Sequence, residues 1–229
     1  MPQAEVLAAE SRVKNSRERN HLLKDAEMKT LQYLCRKMPS WVTSDLLTFM
    51  GIIGSIVIYS GLVLAISNKY YLILSIIGFA MHWFGDSLDG RLAYYRNIPR
   101  KWYGWSLDIN ADWISICVIG LGFYNYFQDY KVVAFLFVVA YGGSMILTLM
   151  QYKINNQYII DKGSLGPTEL RIIICLVLLI EIFLPSALLV FATIATLAML
   201  YLNAKESHEL MKIGDIRDAQ EKKVVNHSE

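Results

Sequence analysis

The sequence predicts an all-α integral membrane protein with six transmembrane helices and an N-terminal cytoplasmic amphipathic helix. Hydrophobic residues make up 55 % of the 229 residues and charged residues 18 %, whereas an average soluble domain has roughly 25 % charged residues. The mean hydropathy is +0.35, and long apolar stretches without a charge recur along the chain. This combination argues against a disordered chain and against an ordinary cytosolic enzyme.

Residues 1–44 are predicted to form a cytoplasmic N-terminal arm. Residues 1–20 are polar and charged, and they lack the apolar segment of a signal peptide. Four apolar residues then recur at the spacing of an amphipathic helix that ends before Pro39: Leu31, Leu34, Cys35 and Met38. Either this helix lies on the cytoplasmic face with its basic side toward anionic lipid, or it packs on the membrane domain as a soluble helix would.

The transmembrane catalytic domain is predicted over residues 45–204. A helix that crosses a bilayer needs about 20 apolar residues, and three stretches meet this without a charge: Leu46–Ile66, Val132–Tyr152 and Ile182–Ala204. Two shorter stretches, Tyr70–Gly85 and Trp113–Gln128, would rise only about 24 Å. Each must therefore extend through neighbouring aspartates to cross the hydrocarbon core of about 30 Å.

A further span is predicted at about Gly166–Leu184. It begins with Pro167, a residue suited to the first turn of a helix, and Pro185 marks the turn into the last helix. Residues 205–229 form a polar cytoplasmic tail.

The distribution of basic residues predicts the orientation of the protein. Six spans place both termini on one side of the membrane, and all but Lys69 and Lys131 of the 22 lysine and arginine residues fall on that side. Because positive charge accumulates in cytoplasmic segments, we expect a multi-pass protein whose termini and active site both face the cytoplasm.

Four aspartates lie where two predicted spans meet the cytoplasm. Asp86 and Asp89 are three residues apart near the end of the second span, and Asp108 and Asp112 are four apart near the start of the third. Each pair occupies one face of its helix. A short basic connection joins the two helices, which we expect to be antiparallel neighbours, so that all four carboxylates converge at one depth.

The charge of this cluster indicates metal binding. Four ionised carboxylates at the membrane edge repel one another and are costly to desolvate, and two divalent cations would balance their charge. Oxygen ligands suit Mg²⁺, Mn²⁺ or Ca²⁺, and paired ions of this kind serve displacement at phosphorus. Alternatively, the aspartates are unrelated interfacial charges that pair with nearby arginines. This would explain a single aspartate well, but not four on two adjacent helices.

Glycines flank the cluster, and a histidine precedes it. Gly90 and Gly104 each destabilise a helix by about 1 kcal/mol relative to alanine. Their presence would be explained either by close approach of a ligand or by plain helix packing. His82 lies one turn before Asp86, and a lone histidine near a helix end is more often structural.

The residues 86–93 (DSLDGRLA) followed by 104–112 (GWSLDINAD) resemble the signature of the CDP-alcohol phosphotransferase (phosphatidyltransferase) family. That signature reads D-x-x-D-G-x-x-A-R, a short spacer, and G-x-x-x-D-x-x-x-D. The resemblance implies a six-span transferase that displaces CMP from a CDP-linked lipid donor, commonly CDP-diacylglycerol, with an alcohol hydroxyl. It also implies phospholipid biosynthesis as the role and a homodimer as the assembly.

The resemblance further implies a role for each matching residue. Asp86, Asp89 and Asp108 would bind two divalent metals, Mg²⁺ or Mn²⁺. Asp112 would also sit at the metals and act as general base on the acceptor hydroxyl. The small residues of the signature would lie at the cytidine nucleotide: Gly90, Ala93 and Gly104.

One position departs from the signature. The family places arginine directly after the alanine, where this sequence has Tyr94. Arg91 and Arg96 are nearby, but neither occupies the motif position, so the role of that arginine is assigned to no residue.

A candidate acceptor pocket follows from residues at the cytoplasmic ends of the fourth and fifth spans: Lys153, Thr168, Glu169 and Arg171. Basic residues there would favour a phosphorylated alcohol such as inositol phosphate or glycerol phosphate. Alternatively, Arg171 pairs with Glu169 or only follows the positive-inside rule. Glu181, near the other end of its span, is expected at the outer interface.

Three other functions stay open. Some members of the resembled family transfer a phosphoalcohol from CDP-choline or CDP-ethanolamine to diacylglycerol. A membrane prenyltransferase also holds Mg²⁺-diphosphate on aspartates, although such proteins are usually longer. A divalent-cation transporter would use intramembrane carboxylates, although it would want polar groups along its whole path. For the phospholipid-synthesising transferase, the expected partners are the CDP-linked lipid donor, a small polar alcohol and membrane lipids. No nucleic-acid partner is expected.

Overall fold

The computed structural model describes residues 23–155 and 167–228, and these contain seven α-helices and no strand. The N-terminal part of the predicted arm, Lys162 and Gly166 lie outside the described residues. In chain order the helices are α1 (Lys24–Lys37), α2 (Ser44–Ala65), α3 (Leu72–Tyr95), α4 (Lys101–Tyr126), α5 (Lys131–Asn155), α6 (Pro167–Phe183) and α7 (Ala187–Ser228). Short 3₁₀ turns, Lys69–Tyr71 and Gln128–Tyr130, precede α3 and α5.

Five of the described helices are long and apolar enough to cross a membrane: α2, α3, α4, α5 and the first part of α7. The expected span at about Gly166–Leu184, the fifth in chain order, corresponds to α6, which has 17 residues and would rise about 26 Å. The all-helical membrane class is therefore confirmed, and the count of six spans stays a prediction. As expected, α3 continues past Asp86 and Asp89, and α4 begins before Asp108.

The chain turns sharply between α3 and α4. Asn97 has a φ of 59°, a left-handed conformation that ends the helix, and Pro99 keeps the preceding residue extended. This connection returns the chain to the same end of the molecule, where α4 begins at Lys101.

Helix α2 packs closely against α3 because glycines remove side chains from the contact. A Cβ added to Gly54 would lie 2.6 Å from the backbone nitrogen of His82, and one added to Gly78 would lie 2.7 Å from that of Ile58. Such distances are far below van der Waals contact, so only glycine allows this approach. The N-terminal half of α2 is thereby brought against the aspartate-bearing half of α3.

Helix α1 occupies the predicted place, ends before Pro39, and packs on the membrane domain. Its buried residues Leu31 and Cys35 contact a cluster that includes Leu47 of α2 and Leu88 and Leu92 of α3. This packing agrees with the second of the two interpretations given above. A position at the lipid surface stays a prediction.

Helix α7 continues without a break to Ser228, so the predicted border between residues 204 and 205 falls inside one helix. It packs along α5, where Asn203 accepts a hydrogen bond from Ser144 at 2.7 Å and donates one to the carbonyl of Ala140 at 2.7 Å. Farther along, Arg217 donates to the carbonyls of Lys153 and Ile154 at 3.1 and 2.6 Å. These bonds satisfy carbonyl groups at the end of α5.

At the opposite end of the molecule from the aspartates, Glu181 joins three elements. Its buried carboxylate accepts hydrogen bonds from the Tyr126 hydroxyl at 2.8 Å and the backbone N–H of Leu188 at 2.8 Å, and it pairs with Lys69 at 3.1 Å. Because the N–H of Leu188 belongs to the first turn of α7, this carboxylate also caps that helix. Glu181 therefore stabilises the fold away from the candidate site.

Candidate active site

Three of the four aspartates meet at one point. One carboxylate oxygen from each of Asp86, Asp108 and Asp112 lies within 4.8 Å of those of the other two. Asp86 comes from α3 and the other two from successive turns of α4. The convergence expected from the i, i+3 and i, i+4 spacings is thus present for these three residues.

The fourth aspartate, Asp89, lines the same cavity but is held by a neighbour on α2. It is buried, with 6 % of its surface exposed, and its Oδ2 accepts a hydrogen bond from the Thr48 hydroxyl at 2.6 Å. This hydrogen bond holds the side chain of Asp89 in place at the edge of the cavity. Helix α2, which carries no acidic residue of the cluster, therefore fixes one of its members.

The cavity exists because α3 and α4 pack against α2 rather than against each other. The expectation that the two helices are direct neighbours is therefore met only in part. They are antiparallel and linked by a short connection, but the close contacts of each are with α2. The carboxylates face one another across the resulting gap, which leaves room for a ligand between them.

An arginine from α6 completes the cluster. Arg171 donates a hydrogen bond to Oδ2 of Asp86 at 2.6 Å, and both side chains are mostly buried, with 18 % and 22 % of their surfaces exposed. A guanidinium at this distance makes a charge-assisted bond that partly offsets the negative charge of the aspartates. Of the four residues predicted for an acceptor pocket, Arg171 is the one seen to contact the cluster in the described part of the chain.

The other three predicted acceptor residues are placed differently. Thr168 and Glu169 are buried in the first turn of α6, and Glu169 accepts a hydrogen bond from the backbone N–H of Leu23 at 2.8 Å. The side chain of Lys153 is exposed at the end of α5. Arg171 therefore pairs with Asp86, and Glu169 faces α1.

The signature glycines border open space. Within the described residues, a Cβ added at Gly90 or Gly104 would meet no atom within 4 Å. Helix packing therefore does not explain either glycine, in contrast to Gly54 and Gly78. Ala93, one turn after Gly90, is half-buried. Small residues beside open space leave room for a ligand to approach the helix backbone.

The two arginines near Tyr94 are engaged elsewhere. Arg91 is buried and donates to the carbonyl of Ser87 at 2.5 Å, and it pairs with Glu27 at 3.5 Å. Arg96 donates to the carbonyls of Pro39, at 2.6 Å, and of Val42. These contacts hold α1 and the segment that follows it, so neither side chain substitutes for the arginine of the signature in this conformation.

Three further polar residues line the cavity: Thr48, His82 and Ser115. No sequence motif marked Thr48 or Ser115. His82, one turn before Asp86, lines the cavity, and its structural role stays a prediction. Ser115 stands one turn below Asp112. In the sequence, Thr48 and Ser115 could have been found as hydroxyl groups that interrupt otherwise apolar spans near the aspartates. Which of them faces the cavity depends on helix packing.

The residues present fit a divalent cation. Carboxylate oxygens are the donors that Mg²⁺ and Mn²⁺ prefer, and three of them lie within 4.8 Å of one another. Asp89 adds a fourth carboxylate to the same cavity. The donor set contains no thiolate, and its mutual repulsion favours binding of positive charge.

Known proteins resemble this chain both in sequence pattern and in fold. The model of the CDP-alcohol phosphatidyltransferase family matches residues 41–202. No curated protein matches the chain in a direct comparison. A crystal structure of the phosphatidylinositol phosphate synthase of Mycobacterium tuberculosis (PgsA1) with CDP-DAG bound is similar, with a TM-score of 0.61 and 18 % sequence identity over 80 % of this chain and 92 % of that one. At this identity the likeness shows the fold. The family match runs from α2 into the first part of α7 and includes the whole aspartate cluster, and the chain therefore belongs to the CDP-alcohol phosphatidyltransferase family and is a transferase.

Proposed function

We propose that the protein makes a phospholipid by transferring a phosphatidyl group from CDP-diacylglycerol to the hydroxyl of a small polar alcohol, with release of CMP. The observation that carries this proposal is the convergence of Asp86, Asp108 and Asp112 within 4.8 Å at the end of two membrane helices. The similar synthase structure was determined with CDP-DAG bound, which supports the choice of donor. A site at the bilayer edge lets acyl chains stay in lipid while the nucleotide is in water.

The four aspartates would hold two divalent ions, Mg²⁺ or Mn²⁺. Asp86, Asp89 and Asp108 are the proposed ligands, and Asp112 is adjacent to both Asp86 and Asp108. When bound, such ions offset the negative charge that grows on the leaving phosphate during transfer. The contact between Arg171 and Asp86 would orient that carboxylate toward the ions.

Asp112 is the proposed general base. The acceptor oxygen attacks the phosphorus that carries diacylglycerol, a new P–O bond forms, and the pyrophosphate P–O bond breaks, so that CMP leaves with the bonding electrons. The proton of the attacking hydroxyl passes to a carboxylate oxygen of Asp112. Its place within the cluster puts this oxygen next to the bound phosphates, as general base catalysis requires.

The nucleotide would lie along the open side of the two signature segments. Gly90, Ala93 and Gly104 are the proposed contacts, because the two glycines border open space in the described residues. Tyr94 occupies the position of the signature arginine and would lie beside this surface.

For the acceptor we propose a phosphorylated alcohol of the inositol phosphate or glycerol phosphate class. The support is Arg171, whose planar guanidinium suits a phosphate group and which stands at the cluster. Thr168 and Glu169 share the first turn of α6 with it, and Lys153 would approach from the end of α5.

In the membrane, we propose that both termini and the cluster face the cytoplasm, because the basic residues accumulate on that side. We also propose a homodimer, by analogy with the family. The large exposed apolar surface of α7, which includes Ile194, Leu197 and Tyr201, is compatible with a partner or with lipid.

The test is an assay of the purified protein with CDP-diacylglycerol, Mg²⁺ or Mn²⁺ and a panel of alcohols, with CMP and lipid products read by mass spectrometry. We expect CMP release with a phosphorylated alcohol and no release with EDTA. A product formed only from CDP-choline or CDP-ethanolamine and diacylglycerol would reverse the donor assignment. Cation flux into liposomes without CMP release would contradict the enzyme proposal and favour transport.

A further inference from the structure

Three large apolar side chains are exposed at the end of the molecule that carries the aspartates. Trp41 stands three residues before α2 and is 72 % exposed, and Trp102 is the second residue of α4 and is 63 % exposed. Ile98, in the connection from α3 to α4, is 65 % exposed. In membrane proteins tryptophan concentrates at the boundary between lipid and water, because its ring is apolar and its N–H is polar. These side chains therefore suit the headgroup region of a bilayer.

Two arginines join the segments that carry these apolar side chains. Arg96, directly after α3, donates a hydrogen bond to the carbonyl of Val42, which is next to the first tryptophan. Arg100, at the start of α4, pairs with Asp45 in the first turn of α2. The connection between α3 and α4 is thus attached to the start of α2, and the exposed tryptophans belong to one edge of the protein.

Two exposed lysines add positive charge to this edge. Lys37 ends α1 four residues before Trp41, and Lys101 begins α4. The ammonium group of Lys101 lies 5.1 Å from the centre of the Trp102 ring, which is the distance of a cation–π contact. Within residues 23–155 and 167–228, neither lysine pairs with a carboxylate. Both charges are therefore available to an anion outside the protein.

We propose that this edge binds anionic phospholipid headgroups in preference to zwitterionic ones. We call it the headgroup patch, and it consists of Lys37, Trp41, Ile98, Lys101 and Trp102. The apolar side chains lie in the interface while the ammonium groups meet lipid phosphates. A lysine near an anionic membrane surface contributes about 5-fold in affinity. The start of two membrane helices favours lipid as the occupant over an acidic protein surface, which would be attracted by the same charges.

The headgroup patch lies next to the surface proposed for the nucleotide. Trp102 is two residues before Gly104, where an added Cβ would meet no atom of the described residues within 4 Å. CDP-diacylglycerol is itself an anionic lipid, so the lipids gathered at the patch would include the proposed donor. This consequence rests on the proposed function, whereas the preference for anionic headgroups does not.

The experiment measures lipid binding without substrate or metal. The full-length protein is reconstituted in phosphatidylcholine vesicles with EDTA, and the fraction of brominated phosphatidylglycerol is increased. The loss of tryptophan fluorescence is compared with that caused by brominated phosphatidylcholine, because bromine quenches a tryptophan that it contacts. We expect the wild-type protein to prefer phosphatidylglycerol by about 10-fold or more. The preference should disappear in about 1 M NaCl, where charges are screened beyond about 3 Å.

A lysine at the opposite end of the protein provides the matched control. We expect Lys101→Gln to lower the preference for phosphatidylglycerol by about 5-fold and Lys101→Arg to retain it. The ammonium group of Lys131 lies 5.1 Å from the centre of the Tyr124 ring, the same distance as in the pair of Lys101 with Trp102. Lys131→Gln should leave the preference within about 2-fold of the wild-type value.

A second pair of variants locates the bound lipid. Trp41→Phe/Trp102→Phe keeps the lysines, and we expect it to lose the additional quenching that brominated phosphatidylglycerol causes relative to brominated phosphatidylcholine. Trp113→Phe, farther along α4, is the control and should retain this additional quenching. If it persists in Trp41→Phe/Trp102→Phe, the anionic lipid binds elsewhere and the proposal is wrong.

Equal quenching of the wild-type protein by the two lipids would overturn the proposal and leave an acidic protein surface as the partner of these charges. Equal losses of preference in Lys101→Gln and Lys131→Gln would also overturn it, because they would show a general attraction of lysines at either end. Neither result would touch the proposed transfer reaction, since the measurement uses no donor, acceptor or metal.

Discussion

Arg171 of α6 donates a hydrogen bond to the carboxylate of Asp86 of α3 at 2.6 Å. The two residues are 85 positions apart in sequence, and the bond is the point at which the fifth expected span closes the cluster formed by the second and third. It places a guanidinium beside carboxylates that would bind metal ions, where the phosphates of the substrates would also lie. This arrangement makes the role of Arg171 directly testable.

Replacement of Arg171 by Gln should weaken use of a phosphorylated acceptor. A charged hydrogen bond to phosphate contributes roughly 1.5–3 kcal/mol, so we expect the acceptor KM to rise by about 10- to 100-fold. Arg171→Lys should recover part of this, because it keeps the charge but loses the planar fork. The measurement is CMP release as a function of acceptor concentration, with Arg36→Gln on the exposed surface of α1 as control. An unchanged acceptor KM in Arg171→Gln would exclude the phosphate-binding role.

Asp112→Asn should nearly abolish turnover while nucleotide binding persists. Loss of a general base costs about 10²- to 10⁴-fold in rate, and the amide cannot accept the hydroxyl proton. Single-turnover CMP release measures the rate, and protection of the protein against thermal unfolding by CDP-diacylglycerol measures binding. Asp129→Asn, in the turn before α5, is the control. Wild-type turnover in Asp112→Asn would refute its assignment as base.

Thr48→Val should weaken metal binding although Thr48 is not an acidic residue. The change keeps the shape of the side chain and removes the hydroxyl that donates to Asp89 at 2.6 Å. Hydrogen bonds to charged groups contribute roughly 1.5–3 kcal/mol, so the Mn²⁺ concentration for half-maximal activity should rise about 10-fold. Thr48→Ser keeps the hydroxyl and should resemble wild type. If Val and Ser variants behave alike, the bond has no role in the site.

Alanine at Gly90 and at Gly54 should have opposite effects on stability. Gly90 borders open space in the described residues, so Gly90→Ala should leave Tm unchanged or raise the stability by about 0.5–1 kcal/mol, while the donor KM rises as the methyl group obstructs the nucleotide. At Gly54 an added Cβ would lie 2.6 Å from the backbone nitrogen of His82, and Gly54→Ala should lower Tm. A donor KM unaffected by Gly90→Ala would contradict the proposed nucleotide surface.

The thiol of Cys35 should be unreactive in the native protein. Burial raises the pKa of Cys35 to about 11 from 9.0, and only the thiolate reacts with maleimide. In a Cys117→Ser/Cys175→Ser background at pH 7.5, we expect labelling about 100-fold slower than in unfolded protein. The pKa of Cys35 is higher in the folded protein than in the unfolded chain, so ionisation of the thiol favours unfolding. The free energy of unfolding is therefore unaffected by this group below pH 9 and falls between about pH 9 and 11. Rapid labelling at neutral pH would mean that α1 leaves α3.

The aspartate cluster contains both features that the sequence predicts and features that it does not. The i, i+3 and i, i+4 spacings place Asp86 with Asp89, and Asp108 with Asp112, on helix faces, because helical periodicity is a local property of the chain. The extension of α3 and α4 through these residues followed from the thickness of a bilayer. The contact of Thr48 with Asp89 could not be predicted, since it depends on how closely α2 approaches α3, and that distance is set by glycines on both helices.

The sequence by itself determined the membrane class, the position of the aspartates along their helices and the family signature, because hydrophobic length and residue spacing act within a single helix. The tertiary structure alone decided that α3 and α4 face each other across a gap while both pack on α2, that Glu169 faces α1, and that Arg171 bonds Asp86. It also decided that Arg91 is held by Glu27 and so does not take the place of the arginine missing at Tyr94. These relationships depend on contacts between helices distant in sequence, whose partners are selected by packing and charge together.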